Sequence, residues 1–439
     1  MQLIPTRPHP TQLTEEPSVV EKPRIAYLLS QYPAVSHTFF LKELLGLKQF
    51  GFQIETASIN PPDRPHSSLP PAEASEVERT WYIKSTSRWK AAATLFGVAL
   101  KHPKVFLRGF SSILELPACG LYRRGYALLY LLEAFLVGNW MKQRGLTHLH
   151  VHFGGPVATV GLLVSKSWGY SLSLTIHGPE EFYDVDLFYL QQKIRQAKFI
   201  FCISDYCRSQ LMKYSAPDHW KKLQVIRLGI RPEEFVPRAD TSPRAESSQN
   251  EITLVCVGRL VPAKGQMILL EAVASLLAAG HSLRAVFVGD GSDRKALEAF
   301  TASHGLSAHV TFRGALNHDH TREQLAQADI FVLPSFAEGV PVALMEAMAM
   351  EIPCVSTMVA GIPELIRNRV DGILVPASSV EELAAAIKLL ILDAPLRRRL
   401  GAAGRAHVLE RYNLPKNLER LAAAFEQALA QPSSSEENG

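Results

Sequence analysis

The most constraining feature of this sequence is one strand–loop–helix unit in its second half. Ala328-Asp329-Ile330-Phe331-Val332-Leu333 is a short apolar run that reads as a buried parallel strand. Ala, Leu and Met dominate Val342 to Ala349, which reads as a helix with Pro341 at its first turn. The loop between them, Pro334-Ser335-Phe336-Ala337-Glu338-Gly339-Val340, carries one acid and one glycine. A strand, a glycine-containing loop and a helix start together aim backbone N–H groups and a positive helix end at a phosphate. Glu346 follows Glu338 by eight positions, so both carboxylates can face one ligand at the helix start. The plainer alternative is a loop carboxylate plus a solvated helical Glu.

The same rhythm recurs along the chain. Arg24 to Leu29 reads as a first strand, the loop Gln31 to Thr38 leads into a helix over Phe39–Phe50, and Gly51 to Ile59 gives a second strand. Further strands are expected at Thr147–His152, Ser171–Ile176, Phe199–Ser204 and Leu223–Ile230, with Ser204-Asp205 capping a helix. Alternating strands and helices predict an α/β fold with doubly wound sheets. A chain of 439 residues suits two such domains. We expect a flexible leader over 1–22, a first domain over 23–235, a linker over 236–250 and a second domain over 251–412. A last helix over 413–431 and a disordered tail over 432–439 complete the division. Asn60 to Glu78, rich in Pro and Ser, reads as an exposed excursion.

Charge is unevenly spread. The whole chain carries a formal +4, yet residues 84–144 hold ten bases against two acids, a net of +8. Trp89, Leu95, Phe96, Val98, Leu100, Phe106, Phe110 and Leu114 are interleaved with those bases. Basic amphipathic helices bearing Trp and Phe suit an anionic membrane surface. The competing reading is helices packed on the sheet with snorkelling Lys and Arg. No nucleic-acid motif accompanies the bases, so a nucleic-acid partner is not expected. Five cysteines, none in a CxxC pair, point to reduced thiols in a cytoplasmic protein. No apolar run is long enough to span a bilayer.

Candidate ligand-facing residues cluster at strand ends. His148, His150 and His152 share one face of a strand, but same-face residues on a flat strand splay, so no metal site is expected. His177, followed by Gly178 and Pro179 at a strand end, is expected to point into a cleft. In the second half, Ile252 to Val257 is a strand, Gly258 lets the chain turn, and Arg259 and Lys264 put two positive charges beside it. They answer a pyrophosphate, Arg as a planar fork and Lys as a point charge. Gly289-Asp290-Gly291 is too short for a dinucleotide fingerprint, and no Walker A loop is present.

Taken together, Gly258-Arg259 with Lys264-Gly265, Gly289-Asp290-Gly291, Phe312-Arg313-Gly314, Pro334-Ser335 with Glu338-Gly339 and Glu346-Ala347, Gly361-Ile362-Pro363-Glu364, and Asp371-Gly372 resemble the retaining nucleotide-sugar glycosyltransferases of the GT-B fold. In the first half, Gln31-Tyr32-Pro33, Ser36-His37-Thr38-Phe39, His152-Phe153-Gly154 and Thr175-Ile176-His177-Gly178 resemble the family 4 branch that builds exopolysaccharide and colanic-acid-type repeats. That branch carries Glu where this chain has His37. The resemblance implies two Rossmann-like domains facing across a cleft, the first binding a glycan or lipid-linked acceptor and the second a UDP- or GDP-sugar. It also implies a final helix crossing back to the first domain. Carried over, Arg259 and Lys264 hold the diphosphate, Glu338 contacts the donor sugar, and Glu346 accepts hydrogen bonds from the ribose. Gly258 and Gly289 line the donor pocket, N–H groups from Gly339 through Val340 and Pro341 to Val342 face the sugar and phosphates, Arg313 and Gly314 lie near the base, and His177 sits beside the reacting centre. With Arg, Lys and a helix N-terminus at the leaving group, no metal or further cofactor is required. From the cysteines and the basic amphipathic region we expect a cytoplasmic enzyme, peripheral on the inner face of the plasma membrane. The alternative is a silent nucleotide-sugar binder or scaffold in a polysaccharide assembly complex.

Overall fold

The computed structural model describes residues 22–34, 38–117, 120–237 and 251–431. The expected leader up to residue 21, Ser36 and His37, most of the expected linker and the expected tail lie outside the described residues. The first sheet contains β1 (Arg24–Gln31), β2 (Gln53–Asn60), β3 (Trp81–Tyr82), β4 (His148–His152), β5 (Ser171–Ile176), β6 (Phe199–Cys202) and β7 (Leu223–Val225). The second contains β8 (Ile252–Val257), β9 (Leu283–Val288), β10 (Val310–Gly314), β11 (Ile330–Leu333), β12 (Cys354–Thr357) and β13 (Ile373–Val375).

The strand orders are β3-β2-β1-β4-β5-β6-β7 and β10-β9-β8-β11-β12-β13. All these strand pairings are parallel. This is the doubly wound α/β architecture the apolar rhythm predicts. Strands such as Ile330–Leu333 are buried throughout because helices cover both faces. Each sheet reverses its winding once, between β1 and β4 and between β8 and β11. Ligand sites of open α/β sheets lie at such reversals, beyond the carboxyl ends of the strands.

The helix Leu414–Ala430 packs Leu418, Leu421 and Phe425 against Ile25, Tyr27, Phe40, Phe199 and Phe201, so the end of the chain covers one face of the first sheet. Ile230 and residues 412–414 exchange backbone bonds (Ile230 N to Tyr412 O, 2.9 Å; Leu414 N to Ile230 O, 2.8 Å), tying the two crossings together. One expectation is corrected. The stretch 60–78 is not simply an exposed excursion, because it leads into the helix Pro71–Arg79 with Glu73 and Glu76 buried. Lys48 Nζ lies 2.7 Å from Glu76 and Arg64 lies 2.7 Å from Glu73, so distant bases allow both acids to be buried.

Candidate functional site

The site is assembled from loops that leave the carboxyl ends of β8 and β11 and face those of β4 and β5. Lys264 Nζ lies 2.5 Å from Glu338 Oε1, and the Ser335 hydroxyl donates to the same oxygen at 2.7 Å. The loops also join through backbone, with Phe336 N donating to Ala263 O at 2.8 Å. Gly265 takes φ of +63°, and a Cβ there would meet Pro334 O at 2.2 Å, so only glycine lets the Lys264 loop seat on the Glu338 loop. Glu338 is buried, Val340 and Pro341 are buried, and the helix Val342–Ala349 starts directly behind them. The structure thus brings Lys264 together with Glu338. Arg259 is exposed beside them at the end of β8, and its guanidinium has no partner among the described residues.

Three of the expected glycines converge at the ends of β8, β9 and β10. Gly258 N donates to Val288 O at 2.9 Å and Gly289 N donates to Gly314 O at 2.8 Å. Arg313 is exposed next to Gly314.

Glu346 and Glu338 have different partners. Glu346 is not a solvated helical residue, being 8% exposed. Its Oε1 lies 3.8 Å from His318 Nδ1, and His318 Nε2 lies 3.5 Å from Glu234, which Lys42 of the first domain approaches at 3.6 Å. Burial pushes the Glu346 carboxyl up to about 7, against the opposing pull of Lys42.

The opposite wall is His177 and its loop. Gly339 touches this wall: a Cβ there would meet His177 O at 2.4 Å and Gly178 O at 3.1 Å, so the domains meet backbone to backbone. The expectation that the His177 side chain opens into the cleft is corrected. The imidazole is buried, its ring centroid 4.6 Å from that of Phe153 and 5.0 Å from that of Phe39, and its Nε2 lies 3.1 Å from His152 Nδ1. Aromatic packing and that bond draw the ring in, while its carbonyl faces the second domain.

Sequence reasoning missed the residues that hold this wall. Glu181 accepts from the backbone N–H groups of Gly154, His177 and Gly178, the second at 2.9 Å. Lys193 donates to Gly154 O at 2.7 Å and Gly155 O at 2.8 Å. Burial raises the Glu181 carboxyl and holds the Lys193 ammonium well below its ordinary value. The available signal was an acid four residues after His177. Glu364, noted only as part of a motif, reaches across to the first domain. It accepts from Asp205 N at 2.9 Å and Tyr206 N at 2.7 Å at the start of the helix Asp205–Lys213, and Arg227 lies 3.1 Å from it.

The strand histidines splay only in part. Ligand atoms of Glu43, His150 and His152 lie within 4.8 Å of one another, the one such group among the described residues. Both His150 nitrogens meet hydroxyls, Ser173 at 2.7 Å and Thr175 at 3.0 Å. Asp371, another motif residue, is buried and takes a bond from Arg367 N at 2.6 Å, a structural contact.

Two parallel-sheet domains whose carboxyl-end loops close on one another define the GT-B class of glycosyltransferase. Residues 238–407 match the family described as "Glycosyl transferases group 1", and residues 94–234 match "Glycosyltransferase Family 4". The chain is a GT-B glycosyltransferase, with a family 4 domain in its first half and a group 1 domain in its second. It is 26% identical over 422 residues to the amylovoran biosynthesis glycosyltransferase AmsK of Erwinia amylovora, covering 91% of this chain and 100% of that one. It is 27% identical over 374 residues to WcaL of Escherichia coli K12, named for colanic acid biosynthesis, covering 82% and 89% respectively. Its fold is similar to sucrose-phosphate synthase of Thermosynechococcus elongatus (TM-score 0.69, 18% identity, covering 93% of this chain and 100% of that one). It is similar too to HepE of Anabaena in complex with UDP-glucose (TM-score 0.68, 17% identity, covering 92% and 99%).

Proposed function

We propose that this glycosyltransferase moves a sugar from a UDP- or GDP-sugar to a glycan or lipid-linked acceptor, with retained anomeric configuration and without a metal. The observation that carries the reading is the Lys264–Glu338 pair at the start of the helix Val342–Ala349, directly against the His177–Gly178 wall. The Lys264 ammonium, the Arg259 guanidinium and the helix end supply positive charge for a departing diphosphate. In the step proposed, the bond from the anomeric carbon to the phosphate oxygen breaks and the acceptor oxygen bonds to the same face. The acceptor's proton passes to the leaving phosphate. Glu338 contacts the donor sugar, Glu346 the ribose hydroxyls, Arg313 and Gly314 the base. Names such as AmsK and WcaL support exopolysaccharide or cell-surface polysaccharide synthesis as the setting.

A membrane-facing acceptor domain is supported by its surface. On the helix Arg88–Lys101, Trp89, Phe96 and Leu100 are exposed with helical spacing. On the helix Pro103–Leu114, Leu107, Phe110 and Leu114 are exposed in the same way. Exposed Arg88, Lys90, Lys101, Lys104 and Arg108 flank them. Apolar stripes edged with bases suit the inner, anionic face of the plasma membrane. Among the described residues, no helix is long and apolar enough to cross a membrane.

The deciding experiment incubates purified protein with a panel of UDP- and GDP-sugars and a lipid-linked acceptor, with EDTA, and reads the product's anomeric configuration by NMR. Transfer with retention in EDTA is expected. Inverted product, or activity lost in EDTA and restored by Mg²⁺, overturns the corresponding part of the reading.

A further inference from the structure

The two acids of the strand–loop–helix unit are held in different ways. Glu338 takes direct bonds from Lys264 and Ser335. Glu346 is 8% exposed, yet among the described residues no donor stands within hydrogen-bond distance of its carboxyl oxygens. Its charge is therefore left to groups farther off. These form a row that runs out of the second domain. His318 Nδ1, at the start of the helix His318–Ala326, lies 3.8 Å from Glu346 Oε1. On the other side of the ring, His318 Nε2 lies 3.5 Å from Glu234 Oε2, in the turn Pro232–Glu234 that closes the first domain. Lys42 Nζ, on the helix Thr38–Gln49 of the first domain, lies 3.6 Å from the same oxygen. Neighbours fix the row. The His318 ring stands edge-on to buried Phe235, centroids 5.5 Å apart. Arg322 donates to Glu234 O at 3.4 Å and meets Asp319 at 3.0 Å, while Arg231 lies 3.8 Å from Glu234 Oε1.

Lys42 and Glu234 act on Glu346 with opposite signs, since an ammonium favours a nearby carboxylate and a second acid disfavours it. We propose that Lys42 and Glu234 are positioning residues that set the charge of Glu346 across the domain boundary, so that the first domain helps the second to hold its donor. The side chains of Lys42, Glu234 and His318 are 25%, 32% and 43% exposed, so water weakens this coupling without abolishing it. Burial brings the Glu346 carboxyl to about 7, where Lys42 pulls it down and Glu234 pushes it up. A carboxyl at that value is half ionised at neutral pH, and a modest change of nearby charge then alters the fraction ready to accept from a hydroxyl. Burial and Lys42 hold His318 below its ordinary value, so the ring between the two acids is neutral above pH 7. The consequence for the donor rests on the reading that Glu346 contacts the ribose.

The test uses full-length protein with 13C-labelled glutamate carboxyls, the Glu346 signal being assigned by its loss in Glu346→Gln. Lys42→Met and Glu234→Gln remove one charge each while keeping the side chain's length, and circular dichroism checks both folds. Without ligand, Lys42→Met is expected to raise the Glu346 midpoint by at least about 0.5 unit, a threefold change in its ionisation constant, and Glu234→Gln to lower it. UDP and GDP are then titrated calorimetrically at pH 7.0 and pH 8.5. The Kd of the nucleotide that binds should be about twofold weaker in Lys42→Met at pH 7.0 and should match wild type at pH 8.5, since affinity follows the ionised fraction. Midpoints that stay put, or that move in the same direction in the two variants, overturn the proposal. So does a loss of affinity in Lys42→Met that persists at pH 8.5, which marks a purely structural role. Absence of UDP and GDP binding in the wild type removes the donor reading alone, because the ligand-free midpoints test the charge link by themselves.

Discussion

Lys264 and Glu338, 74 positions apart in the chain, meet at 2.5 Å where the loops after β8 and β11 come together. The contact places a cation and an anion, both largely shielded from water, at the mouth of a helix. Neither residue can be changed without leaving the other's charge poorly compensated.

Lys264→Ala is therefore expected to lower kcat by well over tenfold, because one preorganised charge contact at a leaving group is worth about 3 kcal/mol. It should also lower the melting temperature by leaving Glu338 unpaired. Adding Glu338→Gln is expected to restore much of the stability but none of the turnover. Steady-state kinetics and thermal melts on the single and double variants separate the two effects, and an unchanged kcat in Lys264→Ala would remove that residue from the site.

Glu346→Gln should weaken donor binding and stabilise the protein at the same time. The carboxyl of Glu346 is pushed up to about 7 in the fold by burial, above its ordinary 4.5. A folded-state value above the unfolded one means the protein is most favoured below pH 4.5 and loses stability as pH rises through about 7. The loss approaches about 3 kcal/mol at pH 8, and Gln does not incur it. Melts of wild type and variant at pH 5 and pH 8 should diverge, the variant gaining at pH 8, while its donor KM rises. A gap that does not widen with pH would refute the buried-acid account.

Glu364→Ala is expected to loosen the contact between domains. Its carboxylate caps the helix Asp205–Lys213 of the other domain and meets Arg227. Charge-assisted bonds of this kind contribute about 1.5–3 kcal/mol. Small-angle scattering should report a larger radius of gyration and melts a lower midpoint, and Glu364→Gln, with one accepting oxygen, should fall between. An unchanged radius would show that other contacts hold the domains together.

Trp89→Ser combined with Leu107→Ser and Leu114→Ser is expected to weaken binding to anionic vesicles by more than about tenfold, since fully burying one such side chain gives about 1.5–3 kcal/mol. All three side chains are exposed, so stability should stay within about 0.5 kcal/mol of wild type. Co-sedimentation with vesicles containing phosphatidylglycerol reads the first effect and melts read the second. Equal sedimentation of wild type and variant would remove the membrane reading of this face.

The fold class was legible because a parallel strand covered by helices on both sides is apolar along its whole length, as in Ile330–Leu333 and Ile252–Val257. The addresses of candidate site residues were legible for a related reason: a loop that follows such a strand must emerge at the carboxyl edge of the sheet. The helix Pro71–Arg79 was hidden, since its acids read as surface until Lys48 and Arg64 are found beside them. His177 was read as a side chain open to the cleft, whereas rings from Phe39 and Phe153 and the nitrogen of His152 enclose it. The alternation His148-His150-His152 against Ser171-Ser173-Thr175 was present in the sequence, but only the strand register shows that the two rows face each other.

The sequence by itself determined two parallel α/β sheets and set Glu338 and Glu346 on one strand–loop–helix unit, because apolar period, glycine and proline act on a chain's immediate neighbours. Tertiary structure alone decided that Glu338 pairs with Lys264 while Glu346 turns to His318, and that Glu43 and His152 stand behind His177. Those contacts join segments tens to more than a hundred residues apart. Their partners are selected by how the loops, sheets and domains pack, which no local pattern encodes.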